Sequence, residues 1–217
     1  MPHPRLSTRA LASATLVGLA TFPVLVAVLH LIQRGSYDPV SQAVSELALG
    51  RAGWLMTLAF TLSGLGMLGF AALIRRTVPG AGVVPALAIG SAGCTFLSAV
   101  FQADGNRTST LHGAVHQIVG LVSFLLLVIA MFVCGNRFRR VPDWRPFAVP
   151  SQIWGGATIG AFFLVPVLGN DLFGIAQRIF LAVWLSWPIS LAAHARRRAL
   201  PDEPLRGRER VVEGVAN

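Results

Sequence analysis

The sequence predicts an all-α membrane protein built as a bundle of six transmembrane helices. Of its 217 residues, 54% are hydrophobic and 12% are charged, whereas an ordinary soluble domain has roughly 25% charged residues. Uncharged apolar runs recur along the chain, and a soluble protein of this size could not bury them all. The net charge of +9 comes from arginines between these runs. It therefore indicates membrane topology and not a nucleic-acid partner.

Six apolar runs define the predicted spans, and short polar connections separate them. The spans cover about residues 10–32, 54–74, 83–101, 111–134, 151–168 and 173–194. The first run resembles a signal peptide, but it is too long and no small-x-small site follows it, so we predict an uncleaved span. The predicted organisation is an N-terminal segment (1–9), one membrane domain (10–195) and a charged, disordered tail (196–217).

The first connection carries a helix signal of its own. Asp38-Pro39 can cap and start a helix, and Gly50 can end it. Between them, apolar residues recur at helical spacing: Val40, Ala43, Val44 and Leu47. We therefore predict one short amphipathic helix over 38–50, lying in the membrane interface on the extracytoplasmic side.

Arginine is unevenly distributed between the two predicted sides of the membrane. With the N-terminus inside, the inner segments hold 14 of the 18 arginines, and the outer side keeps Arg34, Arg51, Arg107 and Arg178. This asymmetry predicts a plasma-membrane protein with both termini in the cytoplasm. Other polar side chains gather on the outer side: Asp38, Ser41, Ser45, Glu46, Asp104, His112, His116, Asp171 and Gln177.

Two histidines open the fourth predicted span at an i, i+4 spacing. This spacing places His112 and His116 on one helix face, where they could supply two zinc ligands. A third ligand would come from Asp104, Glu46 or Asp171. The glutamate that follows the first histidine in HExxH metalloproteases is absent. In the metal-free alternative, both histidines form hydrogen bonds to neighbouring loops or line a polar pocket.

Arg178 is predicted to lie within about two turns of the start of the last span. An arginine at that depth is costly if unpaired, and an ion pair with Glu46 or Asp171 would compensate it. Such a pair would serve either structure or ligand binding. Ser41 and Ser45 could provide a nucleophile near the histidines, and their spacing also suits plain helix contact.

Two stretches resemble one family of bacterial membrane proteins. They are YDPVSQAVSELALGRAGWLM at 37–56, and DG at 104–105 followed by LHGAVH at 111–116. Together they are similar to the six-helix family catalogued as domain of unknown function 998, over about residues 10–197. The resemblance implies a multi-pass membrane protein and no settled activity.

A looser similarity exists to membrane hydrolases related to alkaline ceramidase. Those proteins use Ser, Asp and His residues around zinc in a bundle of seven helices. This chain has six predicted spans, and its one late histidine, His194, lies at the inner end of the last span. The similarity therefore enters only as an analogy for hydrolase chemistry.

These features support three functional hypotheses. The first is an outward-facing site that binds a lipid or another amphiphile without catalysis, through His112, His116, Asp171 and Arg178. The second is a metal-dependent hydrolase or transferase acting on a lipid-type substrate. The third is a small-molecule transporter, which the scarcity of ionisable residues inside the spans disfavours.

The enzyme hypothesis assigns specific roles. Zinc is its cofactor, held by His112, His116 and an acid such as Asp104. The general base is Glu46 or Asp104, and the alternative nucleophiles are Ser41 and Ser45. The expected partners under all three hypotheses are the bilayer and a lipid or small amphiphilic ligand.

Overall fold

A computed structural model describes residues 7–105 and 110–199, and these residues are mostly helical. Six long helices lie within those ranges: α1 Thr8–Ile32, α2 Trp54–Thr77, α3 Val84–Val100, α4 Leu111–Phe138, α5 Ala148–Leu168 and α6 Phe173–Arg198. Short 3₁₀ helices lie in the connections, at Val44–Leu49, Pro142–Phe147 and Asn170–Leu172. The all-α prediction is confirmed, and each long helix matches a predicted span to within about one turn.

Five of the six long helices are long and apolar enough to cross a membrane. The exception is α3, which is apolar but has only 17 residues. At 1.5 Å per residue it extends about 26 Å, against a hydrocarbon core of about 30 Å. The helices therefore support a membrane protein with several spans, and five of them, instead of the predicted six, meet the length of a full span.

The long helices pack in chain order, each against the next, and α6 closes the ring against α1. Because the connections are short, they gather at two ends of the bundle. At one end, Trp144 donates a hydrogen bond to the Thr77 carbonyl at 3.1 Å. At the other, the Gln177 side chain accepts one from the Val44 N–H at 2.7 Å. We call these the arginine end and the loop end.

The arginines are distributed between the two ends of the bundle as the sequence analysis predicted. At the arginine end, the described arginines are Arg9, Arg75, Arg76, Arg137, Arg139, Arg140, Arg145, Arg196, Arg197 and Arg198. At the loop end, they are Arg34, Arg51 and Arg178. The loop end also contains the connections over 33–53 and 169–172, and residues 101–105 and 110 between α3 and α4.

The backbones of α1 and α2 touch near the middle of the bundle. A Cβ atom added to Gly18 would lie 2.7 Å from the Gly66 Cα, and one added to Gly66 would lie 2.7 Å from the Leu19 nitrogen. Small residues at a crossing allow such close approach of two helices, which is how membrane helices gain packing energy. This crossing therefore fixes α1 and α2 in close contact.

The structure divides the predicted helix over 38–50 into two parts. Asp38 does begin a turn, since its Oδ1 accepts the Val40 N–H at 3.0 Å. The backbone then becomes extended at Ala43, and a 3₁₀ helix follows over Val44–Leu49. Val44 and Leu47 are buried in the bundle core with residues of α1, α2 and α6. Because its apolar side chains enter this core, the segment closes the loop end as an ordered cap.

Gln33 fixes this cap from the end of α1. Its buried amide donates hydrogen bonds to the Leu47 carbonyl at 2.8 Å and to the Arg51 carbonyl at 3.0 Å. One glutamine side chain therefore connects the end of α1 to the second half of the 3₁₀ helix and to the turn that follows it.

The predicted tail begins too early. Helix α6 continues to Arg198, so residues 196–198 are helical and not part of a disordered segment. Alanine and arginine favour helix, and the first proline after them is Pro201. Residues 200–217 of the predicted tail, the first six residues and Arg107 lie outside the described residues.

Candidate functional site

Asp104 orders the start of α4. Its carboxylate accepts the Thr110 hydroxyl at 2.6 Å and the Thr110 N–H at 2.7 Å. Thr110 is the N-cap of α4 and accepts the Gly113 N–H at 3.2 Å. A Cβ on Gly113 would collide with the Asp104 carboxylate, so a larger residue there would displace this carboxylate. Asp104, predicted as a metal ligand or a base, therefore acts as a capping acid near a helix N-terminus.

We expect acid to weaken this cap. The Thr110 hydrogen bonds, with a smaller contribution from nearby His112, hold the pKa of Asp104 below its ordinary value of 3.8. A lowered folded pKa gives stability that is present above the ordinary value and is lost as pH falls through the lowered one. Thermal unfolding in detergent at about pH 6 and about pH 3 should therefore show a smaller pH dependence in Asp104→Asn. The matched control is exposed Asp171→Asn, and an equal change in that control would contradict the prediction.

The two predicted histidines contact the end of α3. His116 donates from Nδ1 to the Phe101 carbonyl at 2.8 Å, and its ring packs edge-on against Phe60 at 5.8 Å between centroids. His112 is exposed, and its ring lies 5.3 Å from that of Phe101. The hydrogen bond of His116 is the type expected in the metal-free alternative, in which the histidines bond to a neighbouring loop.

The acids proposed as further zinc ligands lie elsewhere. Buried Glu46 accepts the Ala43 N–H at 2.9 Å and the Gln42 amide at 3.2 Å. Asp171 is exposed in the turn before α6. Over residues 7–105 and 110–199, no three His, Cys, Asp or Glu side chains are grouped so that they could hold a metal ion. The described residues therefore do not assemble the predicted zinc set.

Arg178 joins the first and last helices through four hydrogen bonds. Its Nη1 donates to the Gly174 carbonyl at 2.8 Å and the Gln42 carbonyl at 3.2 Å. Its Nη2 donates to the Tyr37 hydroxyl at 2.6 Å and to His30 Nε2 at 2.9 Å. The guanidinium carbon also lies 5.6 Å from the centre of the Tyr37 ring. We call Arg178, His30, Tyr37, Gln42 and Glu46 the Arg178 cluster.

Every acceptor of Arg178 is neutral. His30 Nδ1 lies 2.6 Å from the Val26 carbonyl, which can only accept, so this nitrogen carries the proton and Nε2 is the acceptor. Burial raises the pKa of Tyr37, while its hydrogen bond with Arg178 acts in the opposite direction. The phenol therefore stays protonated and donates to the Ala43 carbonyl at 2.7 Å.

The predicted ion pair of Arg178 with Glu46 or Asp171 is not formed. Between described residues, the one ion pair within 4 Å is Arg198–Asp143, at the arginine end. The backbone of residues 39–42 explains the difference, because it turns its carbonyls toward the start of α6. A Cβ on Gly174 would lie 2.5 Å from two of these carbonyl oxygens. Carbonyls thus occupy the positions beside Arg178 that a carboxylate would need.

The predicted nucleophiles also have structural roles in the cap. The Ser41 hydroxyl donates to Asp38 Oδ2 at 2.6 Å, and this bond is the main cause that lowers the pKa of Asp38. Ser45 is buried in the 3₁₀ helix Val44–Leu49. The cap therefore uses these residues to fix its own turns beside the Arg178 cluster.

The prediction missed His30 and Tyr37 as partners of Arg178. They lie 148 and 141 residues away in the chain, so no local periodicity connects them. One signal was present: Tyr37 is the only tyrosine of the chain, and His30 interrupts an apolar run at the predicted depth of Arg178. A search for hydrogen-bond acceptors near the end of the first predicted span would have found both residues.

The loop end therefore contains two groups of predicted site residues. Asp104, His112 and His116 lie at the α3–α4 junction, whereas Arg178 and Glu46 lie at the α1–α6 junction. Phe60 stands between them, since its ring contacts His116 on one side and Phe22 of α1 on the other, 5.4 Å between centroids. Asp171 contributes to neither group through a described hydrogen bond.

Comparisons with known proteins give one match. The model of a family described as "Protein of unknown function (DUF998)" matches residues 16–194. Neither a curated protein nor a solved structure matches the chain. The predicted resemblance is confirmed over most of the chain, and the description of the family names no activity.

Proposed function

Given that the chain belongs to the DUF998 family, whose function is unknown, we propose that it is a multi-pass membrane protein that binds a lipid or another amphiphile at the Arg178 cluster, without catalysis. The observation that carries the proposal is that Arg178 is held by hydrogen bonds to neutral groups and is not paired with a carboxylate of the described residues. This half-buried cation uses four of its five N–H groups on neutral acceptors. No carboxylate of the described residues lies within 4 Å of it.

An anionic head group is the ligand that suits this charge. A guanidinium forms strong charge-assisted hydrogen bonds with phosphate or carboxylate. The fifth N–H of Arg178, on Nε, forms no hydrogen bond with a described residue, so it remains for a ligand. His30 and Tyr37 hold the rest of the guanidinium in place, and a preorganised cation loses less conformational entropy on binding.

The apolar surroundings favour an amphiphile over a soluble anion. Around Arg178, large apolar side chains are exposed on α6 and on the residue just before it: Leu172 (38% exposed), Ile175 (39%) and Ile179 (43%). Arg178 lies in a helix that is long and apolar enough to cross a membrane. An amphiphile could place its head group at the Arg178 cluster and its tail along this apolar surface.

The proposed topology places the loop end outside. The arginine end carries most of the described arginines, and such clusters favour the cytoplasmic side. Both termini are then cytoplasmic, all six long helices span the plasma membrane, and the cap at Val44–Leu49 lies at its outer surface. Reporter fusions at the two termini test this topology, and enzymatic activity of a periplasmic reporter at either terminus would contradict it.

The two alternative functions have less support. A metal-dependent hydrolase requires a ligand set that the described residues do not assemble. A transporter requires polar groups along the bundle axis, and the described polar residues buried between the ends carry only hydroxyl groups, such as Ser91 and Ser123, which share a hydrogen bond at 2.8 Å. Of the three functions, binding is the one that the observed surroundings of a specific residue, Arg178, support.

The test is Arg178→Gln in purified protein, assayed by the amount of lipid retained in detergent and by competitive binding of a fluorescent anionic lipid. We expect affinity to fall about tenfold, the size of one lost charge-assisted hydrogen bond. Arg51→Gln is the matched control, since it removes the same charge at the same end, and it should change affinity less than twofold. Equal losses in both variants would contradict the proposal.

A second variant separates binding from folding. Arg178→Lys keeps the charge but cannot reproduce four directed hydrogen bonds. We expect it to recover part of the affinity for anionic lipid relative to Arg178→Gln while unfolding at a similarly reduced temperature. If both variants lose stability and neither changes affinity, Arg178 has a purely structural role.

A further inference from the structure

The arginine end contains a cleft that the Arg178 cluster does not explain. It has a volume of about 440 Å³ and lies between the start of α1, the end of α2, the 3₁₀ helix Pro142–Phe147 and the end of α6. Its charged or titratable lining residues are Arg9, Arg76, Asp143, His194 and Arg198. The only acid among them, Asp143, is paired with Arg198 at 3.1 Å. The lining therefore has a positive net charge.

A second, smaller cleft adjoins the first. Its volume is about 330 Å³, and it shares Arg9 and Ala199 with the larger cleft. Arg196 and Arg197 line its charged part. Its remaining lining is apolar and lies deeper along the helices: Leu16 of α1 and Ala193 of α6.

The second cleft thus changes from charged to apolar along the helix axis. Leu16 follows Arg9 by seven residues, which is about 10 Å along α1. The small side chain of Ala193 leaves room on the facing side of α6. In this cleft the arginines lie at the rim of the bundle, Ala193 lies about one turn further in and Leu16 about two turns further in. This arrangement has the amphipathic profile of a lipid, with a charged head and an apolar chain.

We propose that this pair of clefts binds an anionic phospholipid of the leaflet at the arginine end, with its phosphate on Arg9, Arg196 and Arg197 and an acyl chain along Leu16 and Ala193. Basic pockets between helices on the cytoplasmic side are suited to anionic head groups, and each arginine near such a surface adds attraction. The inference does not depend on the Arg178 cluster, which lies at the other end of the bundle. It gives these arginines a role in binding a phospholipid head group, in addition to their effect on membrane topology.

A free phosphate ion would satisfy only part of this lining. The arginines could hold it, but Leu16 and Ala193 would contribute nothing to its binding. Arg140 and Arg145, at the same end, line neither of these two clefts. A site for lipid therefore requires both the charges and the groove, which gives two independent ways to test it.

The experiment uses the full chain in nanodiscs of phosphatidylcholine with a small fraction of phosphatidylglycerol, and native mass spectrometry counts the bound lipids. The double variant Arg9→Gln/Arg197→Gln should lower phosphatidylglycerol binding about tenfold, because each arginine contributes several-fold. The control Arg140→Gln/Arg145→Gln removes two charges from the same end outside the clefts and should change binding less than twofold. Equal loss in the control would reduce the effect to general surface charge and overturn the proposal.

A groove variant tests the acyl chain. Ala193→Phe fills the apolar part without changing charge, and it should weaken phosphatidylglycerol binding while leaving the unfolding temperature within a few degrees of the wild-type value. Inorganic phosphate, added alone to protein in a non-ionic detergent, should neither raise the unfolding temperature nor compete with phosphatidylglycerol. Competition by phosphate together with unchanged binding in Ala193→Phe would show a soluble-anion site and overturn the lipid assignment.

Discussion

Gly174→Ala is expected to detach residues 39–42 from α6 and to lower the free energy of unfolding by about 3 kcal/mol. The new Cβ would lie 2.5 Å from the Pro39 and Gln42 oxygens and 2.8 Å from the Val40 oxygen. All three contacts involve backbone, so no side chain can rotate away. The loop must move, and the hydrogen bond from the Ile175 N–H to the Val40 carbonyl, 3.1 Å long, is then lost.

Two measurements check this prediction. The unfolding temperature in detergent should fall by about 6–12 °C, from the usual relation for a chain of this size. Hydrogen exchange should rise in residues 39–47. The control is Gly160→Ala on α5, where a Cβ meets nothing within 4 Å. Unchanged exchange in the loop, or an equal effect of the control, would contradict this account of the cap.

Gly66→Ala is expected to separate α1 from α2 and to destabilise the bundle by about 2–4 kcal/mol. The Cβ would lie 2.7 Å from the Leu19 nitrogen and 2.9 Å from the Gly18 carbonyl carbon. Because neither backbone can yield locally, the two helices must move apart. The packing of neighbouring core residues of α1 and α2, such as Leu19 and Met67, would be lost with them.

The matched control lies on a helix surface. Gly120 of α4 has nothing within 4 Å of its added Cβ, so Gly120→Ala should leave stability unchanged or raise it by up to about 1 kcal/mol through helix propensity. Thermal unfolding of the two variants in one detergent makes the comparison. If Gly66→Ala is as stable as Gly120→Ala, the close crossing does not contribute to the stability of the bundle.

Hydropathy predicted the helices well because it is a local property. Each apolar run of about twenty residues has one stable form in a bilayer, since every backbone polar group must be satisfied within the segment. The ends lie at equally local signals, such as Thr110, whose side chain caps the start of α4. The family resemblance was confirmed over residues 16–194 for the same reason, since it depends on patterns within the chain.

The site was less predictable because its contacts are distant in sequence. Residue spacing indicated the shared face of His112 and His116, but it could not show that His116 bonds to the Phe101 carbonyl. Charge suggested that Arg178 needs Glu46 or Asp171, whereas backbone carbonyls, Tyr37 and His30 satisfy it. Backbone acceptors exist at every position, so the identity of a residue does not reveal which of them will face an arginine.

The helix predicted over 38–50 shows the same limit on a smaller scale. Its spacing of apolar residues was correct in part, since Val44 and Leu47 are buried together, whereas Val40 of the same predicted face is 40% exposed. The 3₁₀ form follows from restraints outside the segment, because Gln33 holds the Leu47 carbonyl and Gln177 holds the Val44 N–H. Periodicity identified two of the buried residues, but it did not place Ser45 and Glu46 among them, although both are buried. Tertiary hydrogen bonds decided the backbone.

The hydrogen bond between His30 and Arg178 spans 148 residues of chain, and this separation sets an order of events during biosynthesis. At about 5–20 residues per second, a ribosome needs about 7–30 s to synthesise the interval. During that time the first connection lacks both Arg178 and Gln177, so the Val44 N–H and the His30 ring must find water or temporary partners. The cap therefore cannot be completed before α6 is synthesised, and a chain arrested after α5 would leave its first loop open.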